Sequence, residues 1–270
     1  MVGLPKSVGT IGAGNMAEAI LRGLLRAGMS ADQLSASDPD PERRRAMKEL
    51  GVHATASNAE VAARAEVVVL AIKPQQLERA AETLPRDGGP LYLSIVAGAT
   101  SATLRRLLGA GARIVRSMPN TPALVGAGIT AVASDGGAEP ADVERACAIL
   151  RAVGEVVQVH EGALDAVTGL SGSGPAYAYL FIEALTEAGV REGLATPVAR
   201  ALALETVHGA ARLARETGEH PALLRERVTS PGGTTAAGLA ALEAGGFRAA
   251  LYDAVRAATA RSKELGSPKS

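Results

Sequence analysis

The sequence predicts a two-part α/β protein. Strand-like and helix-like segments alternate over residues 1–160, and only helical segments follow over residues 161–270. The first strand also runs straight into Gly12-Ala13-Gly14-Asn15-Met16-Ala17, a glycine-rich turn that passes at once into helical periodicity. Alternation of this kind builds a parallel sheet covered by helices on both faces. The predicted fold class is therefore α/β: an N-terminal Rossmann-like doubly wound sheet, then an all-α C-terminal domain.

Each element has its own signal. Residues 7–12 form a short strand leading to the glycines, and a helix over 16–27 is stopped by Gly28. A strand at 33–37, a helix at 41–50 stopped by Gly51 and an extended piece at 52–55 come next. Ser57 or Asn58 caps a helix over 59–65. Residues 67–72 read Val-Val-Val-Leu-Ala-Ile, apolar on both faces, as a strand between two helical layers must be. Strands at 91–96 and 114–117 flank a helix at 101–108. A strand at 128–134, a helix over 140–153 and a strand at 155–159 complete this half. Beyond His160 the helices fall at 174–189, 196–217, 221–228, 235–244 and 247–265, several opened by Pro175, Thr196-Pro197 or Pro221. Residues 176–188 carry only Glu183 and Glu187 as charges. A helix this apolar is deeply buried or packed against another subunit. The second half is small, so an obligate oligomer is expected.

Composition excludes several functions. Lys and Arg number 28, as do Asp and Glu, giving a formal net charge of zero. A polyanion binder needs clustered cations, so no nucleic-acid partner is expected. Aromatics at 2% leave few stacking platforms. No apolar run reaches the 18 residues of a membrane span, and the N-terminus lacks the apolar stretch of a secretory leader. Cys147 is the single cysteine, which precludes an internal disulfide and fits a reducing cytoplasm. It lies beside Val143, Ala146, Leu150 and Val153 on an apolar helical face and reads as core.

The glycine turn points to a dinucleotide. Gly12 permits the tight turn, Gly14 lets the backbone approach a pyrophosphate, and Ala17 allows close helix–strand packing. The helix that follows offers free N–H groups at Asn15 and Met16, beside Ala13, to the anion. The form of the nicotinamide cofactor, NADP or NAD, stays open. Asp38, at the end of the second strand, suits a ribose 2′-hydroxyl. Ser37 and the run Arg43-Arg44-Arg45 suit a 2′-phosphate. Asp38 could equally cap the next helix, and the arginines could be a solvated face. Ligands of open α/β sheets sit at the carboxyl ends of strands. Ala71, Lys73 and Pro74, then Ala97, then Asn120 between two prolines, are placed on that edge and expected to line the nicotinamide side.

A second anion site is predicted near the end, at Thr229-Ser230-Pro231-Gly232-Gly233-Thr234-Thr235, where two glycines and four hydroxyls precede a helix. It has no Lys or Arg, so a small carboxylate suits it better than a phosphate. The alternative is that Thr234 or Thr235 only caps the helix. A further glycine-rich turn, Thr168-Gly169-Leu170-Ser171-Gly172-Ser173-Gly174, begins with a hydroxyl donor.

Taken together, residues 11–17, Ala71-Ile72-Lys73-Pro74, residues 116–122, 165–177 and 220–242 resemble the pyrroline-5-carboxylate reductase family at matching spacing. The 230–235 stretch with Gly238 and Leu239 is close to that family's signature. The resemblance implies reduction of the C=N bond of 1-pyrroline-5-carboxylate by NADPH or NADH to L-proline, the last step of proline biosynthesis. It implies a homodimer through interleaved C-terminal helices, extending to a decamer of five dimers. It places the substrate carboxylate on Ser230, Gly233, Thr234 and Thr235, the ring nitrogen opposite Thr168, and the adenosine ribose or its phosphate near Asn58. Asp38 departs from members with a hydroxyl residue there.

The chemistry agrees. Hydride transfer to a cyclic imine needs no nucleophile and no metal, only orientation and polarisation. The four histidines, His53, His160, His208 and His220, have no metal-ligand spacing and form no acid–base pair, so no metal is expected. A β-hydroxyacid oxidoreductase on this scaffold would want a helical-domain lysine, yet residues 161–262 contain none. A non-catalytic nucleotide sensor would not need an intact 230–235 loop.

Overall fold

The computed structural model describes residues 3–86, 88–133 and 138–266, so Ser134 of the predicted 128–134 strand lies outside the described residues. The chain divides into two compact units, Met1–Ser173 with Arg256–Ser270, and Gly174–Val255.

The first unit is an eight-stranded sheet. Its strands are β1 (Val8–Ile11), β2 (Leu34–Ser37), β3 (His53–Thr55), β4 (Val67–Leu70), β5 (Leu91–Ser94), β6 (Ile114–Met118), β7 (Gly128–Ala133) and β8 (Gly154–Val159). They lie in the order β3-β2-β1-β4-β5-β6-β7-β8. The chain runs outward from β1 to β3, then returns to place β4 on the other side of β1. That reversal opens a crevice at the carboxyl ends of β1 and β4. All neighbours are parallel except β6 and β7, which are antiparallel. The 119–127 connection holds only the short turn Thr121–Val125, and a parallel return needs a crossover of a dozen or more residues.

Helices α1 (Asn15–Arg26), α2 (Pro41–Glu49), α3 (Asn58–Arg64), α4 (Leu77–Ala81), α5 (Ser101–Leu108) and α6 (Pro140–Arg151) cover the sheet. Residues of β4 alternate between the two cores, as strand geometry requires. Val67 and Val69 join Ile20, Leu24 and Ile149 on one face, while Val68 and Leu70 join Val61, Leu77 and Leu104 on the other. Cys147 is fully buried among the first set, as expected, and burial raises its thiol pKa. The periodicity does not announce α4. Its buried Leu77, Ala80, Ala81 and the following Leu84 have helical spacing, but two of the four are alanines and the signal is faint.

The stretch from 168 also differs from the glycine-rich turn expected there. Helix α7 (Leu164–Val167) runs into a π-helical turn, Thr168–Gly172.

The second unit contains α8 (Gly174–Arg191), α9 (Thr196–Thr217), α10 (Pro221–Arg227), α11 (Thr234–Ala244) and the start of α12 (Phe247–Gly266). Helices α8 and α9 pack together, with the space at Gly189 set by the Ala199 methyl. Phe181 and Phe247 lie with ring centroids 6.0 Å apart. Of the described residues in α8 to α11, only Ala199 and Ala203 are buried. Leu180 is 65% exposed, Leu202 54% and Tyr252 69%.

Candidate functional site

The glycine turn sits in the crevice. Gly12 has φ +93°, and a Cβ there would lie 2.5 Å from the Ala71 carbonyl oxygen, so only glycine fits. Its N–H donates to Ser37 O at 2.8 Å, and the Ala71 N–H to Ile11 O at 2.8 Å. These bonds fix the turn between β2 and β4. Gly14 caps α1 with no side-chain hydrogen bond, and a Cβ there would meet nothing within 4 Å. The first N–H groups of α1, at Asn15 and Met16, therefore receive no side-chain cap, as a helix start that takes a pyrophosphate needs. The residues present fit a dinucleotide.

The end of β2 carries side chains that grip one another. Asp38 Oδ2 accepts from the Ala13 N–H at 2.8 Å, and its Oδ1 from the Asp40 N–H at 2.9 Å. Asp40, not Asp38, caps α2 by accepting from Glu42 N–H at 2.9 Å. Ser37 Oγ donates to Asn58 Oδ1 at 2.7 Å, and Asn58 Nδ2 donates to Thr83 Oγ1 at 3.0 Å. Arg43 Nη1 reaches Asn15 Oδ1 at 3.2 Å, over the glycine turn. Arg44 is turned inward onto the Asp38 and Pro39 carbonyls.

The later strand ends supply the rest of the edge. Lys73 is exposed and Pro74 half-buried after β4, and Ala97 is half-buried after β5. Asn120 follows β6, but its Oδ1 accepts from Ile129 N–H at 2.9 Å and braces the entry to β7. Beneath these loops lies a carboxylate that sequence reasoning missed. Glu161 Oε1 accepts from the Ser101 N–H at 2.7 Å and from Arg116 Nη1 at 2.8 Å. Burial raises the Glu161 pKa, but the Ser101 amide and the Arg116 guanidinium outweigh it and hold the carboxyl below its ordinary value of 4.5. An arginine inside the apolar strand 114–117 was the available signal, since a buried guanidinium needs a partner.

Thr168 opens the π turn. Its Oγ1 donates to Leu164 O at 2.8 Å, and its carbonyl accepts from Ser173 N–H at 2.8 Å. The hydroxyl hydrogen is committed, so the oxygen presents lone pairs outward. Gly172 leaves room for Met118, whose methyl carbon would lie 2.9 Å from a Cβ there. Turns of π type occur often at functional positions.

The 230–235 loop belongs to the second unit. Gly232 has φ +69°, and the Gly233 N–H donates to Ser230 O at 3.0 Å. Gly233 is the N-cap of α11, with no side-chain capping bond. Thr234 and Thr235 therefore do not act as caps, and the first N–H groups of α11 are left for an external acceptor. Ser230 and Thr234 are exposed, while Gly233 and Thr235 are half-buried. Thr229 instead turns back to Arg225 O at 2.6 Å.

The histidines take other parts. His53 meets Glu60 at 2.6 Å, His208 meets Glu205 at 3.4 Å, and His220 accepts from Ala222 N–H as the cap of α10. Among the described residues no cluster of His, Cys, Asp or Glu could hold a metal ion.

A glycine turn at a sheet reversal, opening an uncapped helix, defines the class of dinucleotide-binding proteins. Residues 7–98 match the family described as NADP oxidoreductase coenzyme F420-dependent. Residues 161–265 match the family described as pyrroline-5-carboxylate reductase dimerisation. A pyrroline-5-carboxylate reductase of Synechocystis is 48% identical over 96% of this chain and 98% of its own. The structure of a pyrroline-5-carboxylate reductase from Coxiella burnetii superposes with a TM-score of 0.90 at 38% identity, over 98% of this chain and 100% of that one. A pyrroline carboxylate reductase from Plasmodium falciparum, solved with NADP bound, gives 0.88 at 31% identity, over 98% and 100%. The chain belongs to the pyrroline-5-carboxylate reductase family.

Proposed function

We propose that the protein reduces the C=N bond of 1-pyrroline-5-carboxylate to L-proline, the last step of proline biosynthesis, using NADPH or NADH. Identity of 48% across 98% of a relative of that name carries this reading. The geometry supports the following roles. Residues 1–160 act as the dinucleotide-binding domain, and residues 161–270 bind substrate and form the oligomer. A reduced nicotinamide, when bound, supplies the hydride.

The protein's own residues orient and polarise. Gly12, Ala13, Gly14, Asn15 and Met16 cradle the pyrophosphate. Ser37, Asp38 and Asn58 form the ribose corner, and Ala71, Lys73, Pro74, Ala97 and Asn120 line the edge beyond. The α11 N-terminus, with Ser230, Gly233, Thr234 and Thr235, holds the substrate carboxylate by N–H and hydroxyl donation. Thr168 faces the ring nitrogen. Its hydroxyl hydrogen is given to Leu164 O, so it accepts from a protonated imine rather than donating to a neutral one. A substrate that arrives as the iminium carries its own proton, and no side-chain acid is then required.

One observation supports NADPH over NADH: the exposed Arg43 reaches Asn15 Oδ1 at 3.2 Å, beside the ribose corner, where its charge suits a 2′-phosphate. The apolar exposure of the helical unit supports a homodimer, extending to a decamer of five dimers. No helix of the described residues is long and apolar enough to cross a membrane, which is compatible with a cytoplasmic enzyme. The test is oxidation of NADPH and of NADH in the presence of pyrroline-5-carboxylate. Oxidation of NADPH, faster than of NADH, is expected; oxidation of neither overturns the reading.

A further inference from the structure

The last turns of α12 belong to the first unit, and two of their contacts with it bear on the site residues. Ser262 is the only buried residue of α12, at 4% exposure, and its Oγ donates to Asp165 Oδ1 at 2.6 Å. Four residues on, Gly266 lies against Gly98. A Cβ on Gly266 would sit 2.5 Å from Gly98 O, and one on Gly98 would sit 2.9 Å from Gly266 N. Backbone meets backbone here, which only paired glycines allow. Gly98 itself has φ +75° and is buried in the loop between β5 and α5, next to Ala97.

Within the first unit, these contacts reach the Gly98 loop and the Thr168 turn. Asp165 stands one helical turn before Thr168. The Thr168 hydroxyl is bonded to the carbonyl of Leu164, which shares its peptide group with the Asp165 nitrogen. A shift of Asp165 therefore moves the acceptor that fixes the Thr168 hydroxyl. At the other end, Gly266 supports the Ala97-Gly98 loop from behind. We infer that the final turns of α12, through Ser262 and Gly266, are a positioning clasp that sets the separation between the Gly98 loop and the Thr168 turn. Ser262 and Asp165 are positioning residues and touch no substrate. Their kinetic role rests on the reductase reading, while the clasp itself rests on the contacts alone. Displacements of an ångström at a reacting centre are enough to slow a step severely.

The test uses the full-length protein with Ser262→Ala, Asp165→Asn and Gly266→Ala. Amide hydrogen exchange followed by mass spectrometry should show faster exchange at 97–101 and 165–173 in Ser262→Ala, with β1 and α1 unchanged. Single-turnover oxidation of NADPH should slow about tenfold, with the pyrroline-5-carboxylate KM and the NADPH Kd within about twofold of wild type. Asp165→Asn keeps an acceptor for Ser262 and should restore the wild-type rate. Should Ser262→Ala fail to fold, Gly266→Ala decides the matter from the other end, with raised exchange confined first to 97–101. Unchanged exchange in the two segments overturns the clasp, and so does raised exchange with a wild-type single-turnover rate. Absence of turnover in the wild type would take down the reductase reading alone, and the exchange arm would still decide the clasp.

Discussion

The residues Val67, Val68, Val69 and Leu70 of β4 are all fully buried, whereas Leu180, Leu202 and Tyr252 of the helical unit keep more than half of their surface exposed. Both regions are rich in aliphatic residues. They differ in how many layers a protomer can supply. The sheet is covered on both faces by its own helices, so the residues of its central strands β1 and β4 find partners on both sides. In the helical unit α8 packs on α9, yet among the described residues of α8 to α11 only Ala199 and Ala203 are buried, and large apolar side chains stay exposed. The same chemical material thus closes one core within the chain and leaves the other to be closed by a second copy. This agrees with the dimerisation family matched by residues 161–265.

Substitutions can break that comparison, and the largest effect should come from the open surface. Leu180→Glu is expected to abolish assembly and activity, seen as a fall to monomer mass in analytical ultracentrifugation. Ile20→Ala, in the closed core, should cost about 2–5 kcal/mol of stability while leaving the mass unchanged. If both variants keep the same assembly, the contrast between the units is wrong.

For the proposed roles of residues in the two units, the contrast becomes one of rate against binding. Thr168→Ala in the first unit should lower kcat about 100-fold with little change in KM. Thr235→Ala in the second should raise the substrate KM about tenfold and leave the NADPH Kd unaltered. Wild-type turnover in the first variant or an unmoved KM in the second would remove that residue from its role. Arg43→Ala should reduce the preference for NADPH over NADH about tenfold, measured as the ratio of kcat/KM values.

The smallest effect concerns Glu161. Its carboxyl is held below the ordinary value of 4.5, so the stabilisation it gives is present above that value. It is lost as the pH falls through the lower folded value. The stability gap between wild type and Glu161→Gln should therefore be full at neutral pH and shrink on acidification below 4.5. A gap that grows on acidification would contradict the assignment.

Much of this was legible in the sequence because the signals were local. The run 67–72 announced a doubly covered strand, and Gly12 and Gly14 announced the phosphate turn. The uncapped start of α11 followed from two glycines before a helix. Non-local features were hidden. The antiparallel β7 depends on a short connection, α4 on two alanines, and the π turn at Thr168 on glycines that read equally well as a loop. The partners of Arg116 and Ser262 lie 45 and 97 residues away in sequence, beyond the reach of any spacing argument. Asp38 is the instructive case. Its position suggested a ribose contact or a helix cap; Asp40 takes the cap, and Asp38 accepts from the Ala13 and Asp40 N–H groups, partners that its sequence position does not reveal.

The central claim is that this chain delivers a hydride to the carbon of a cyclic imine. The most direct measurement is to run the reaction with NADPH deuterated at the transferable C4 position and to locate the label in the product by NMR. The account predicts L-proline carrying one deuterium on the ring carbon next to nitrogen that bore the C=N bond. Unlabelled proline, or deuterium on the carbon that bears the carboxylate, would contradict it.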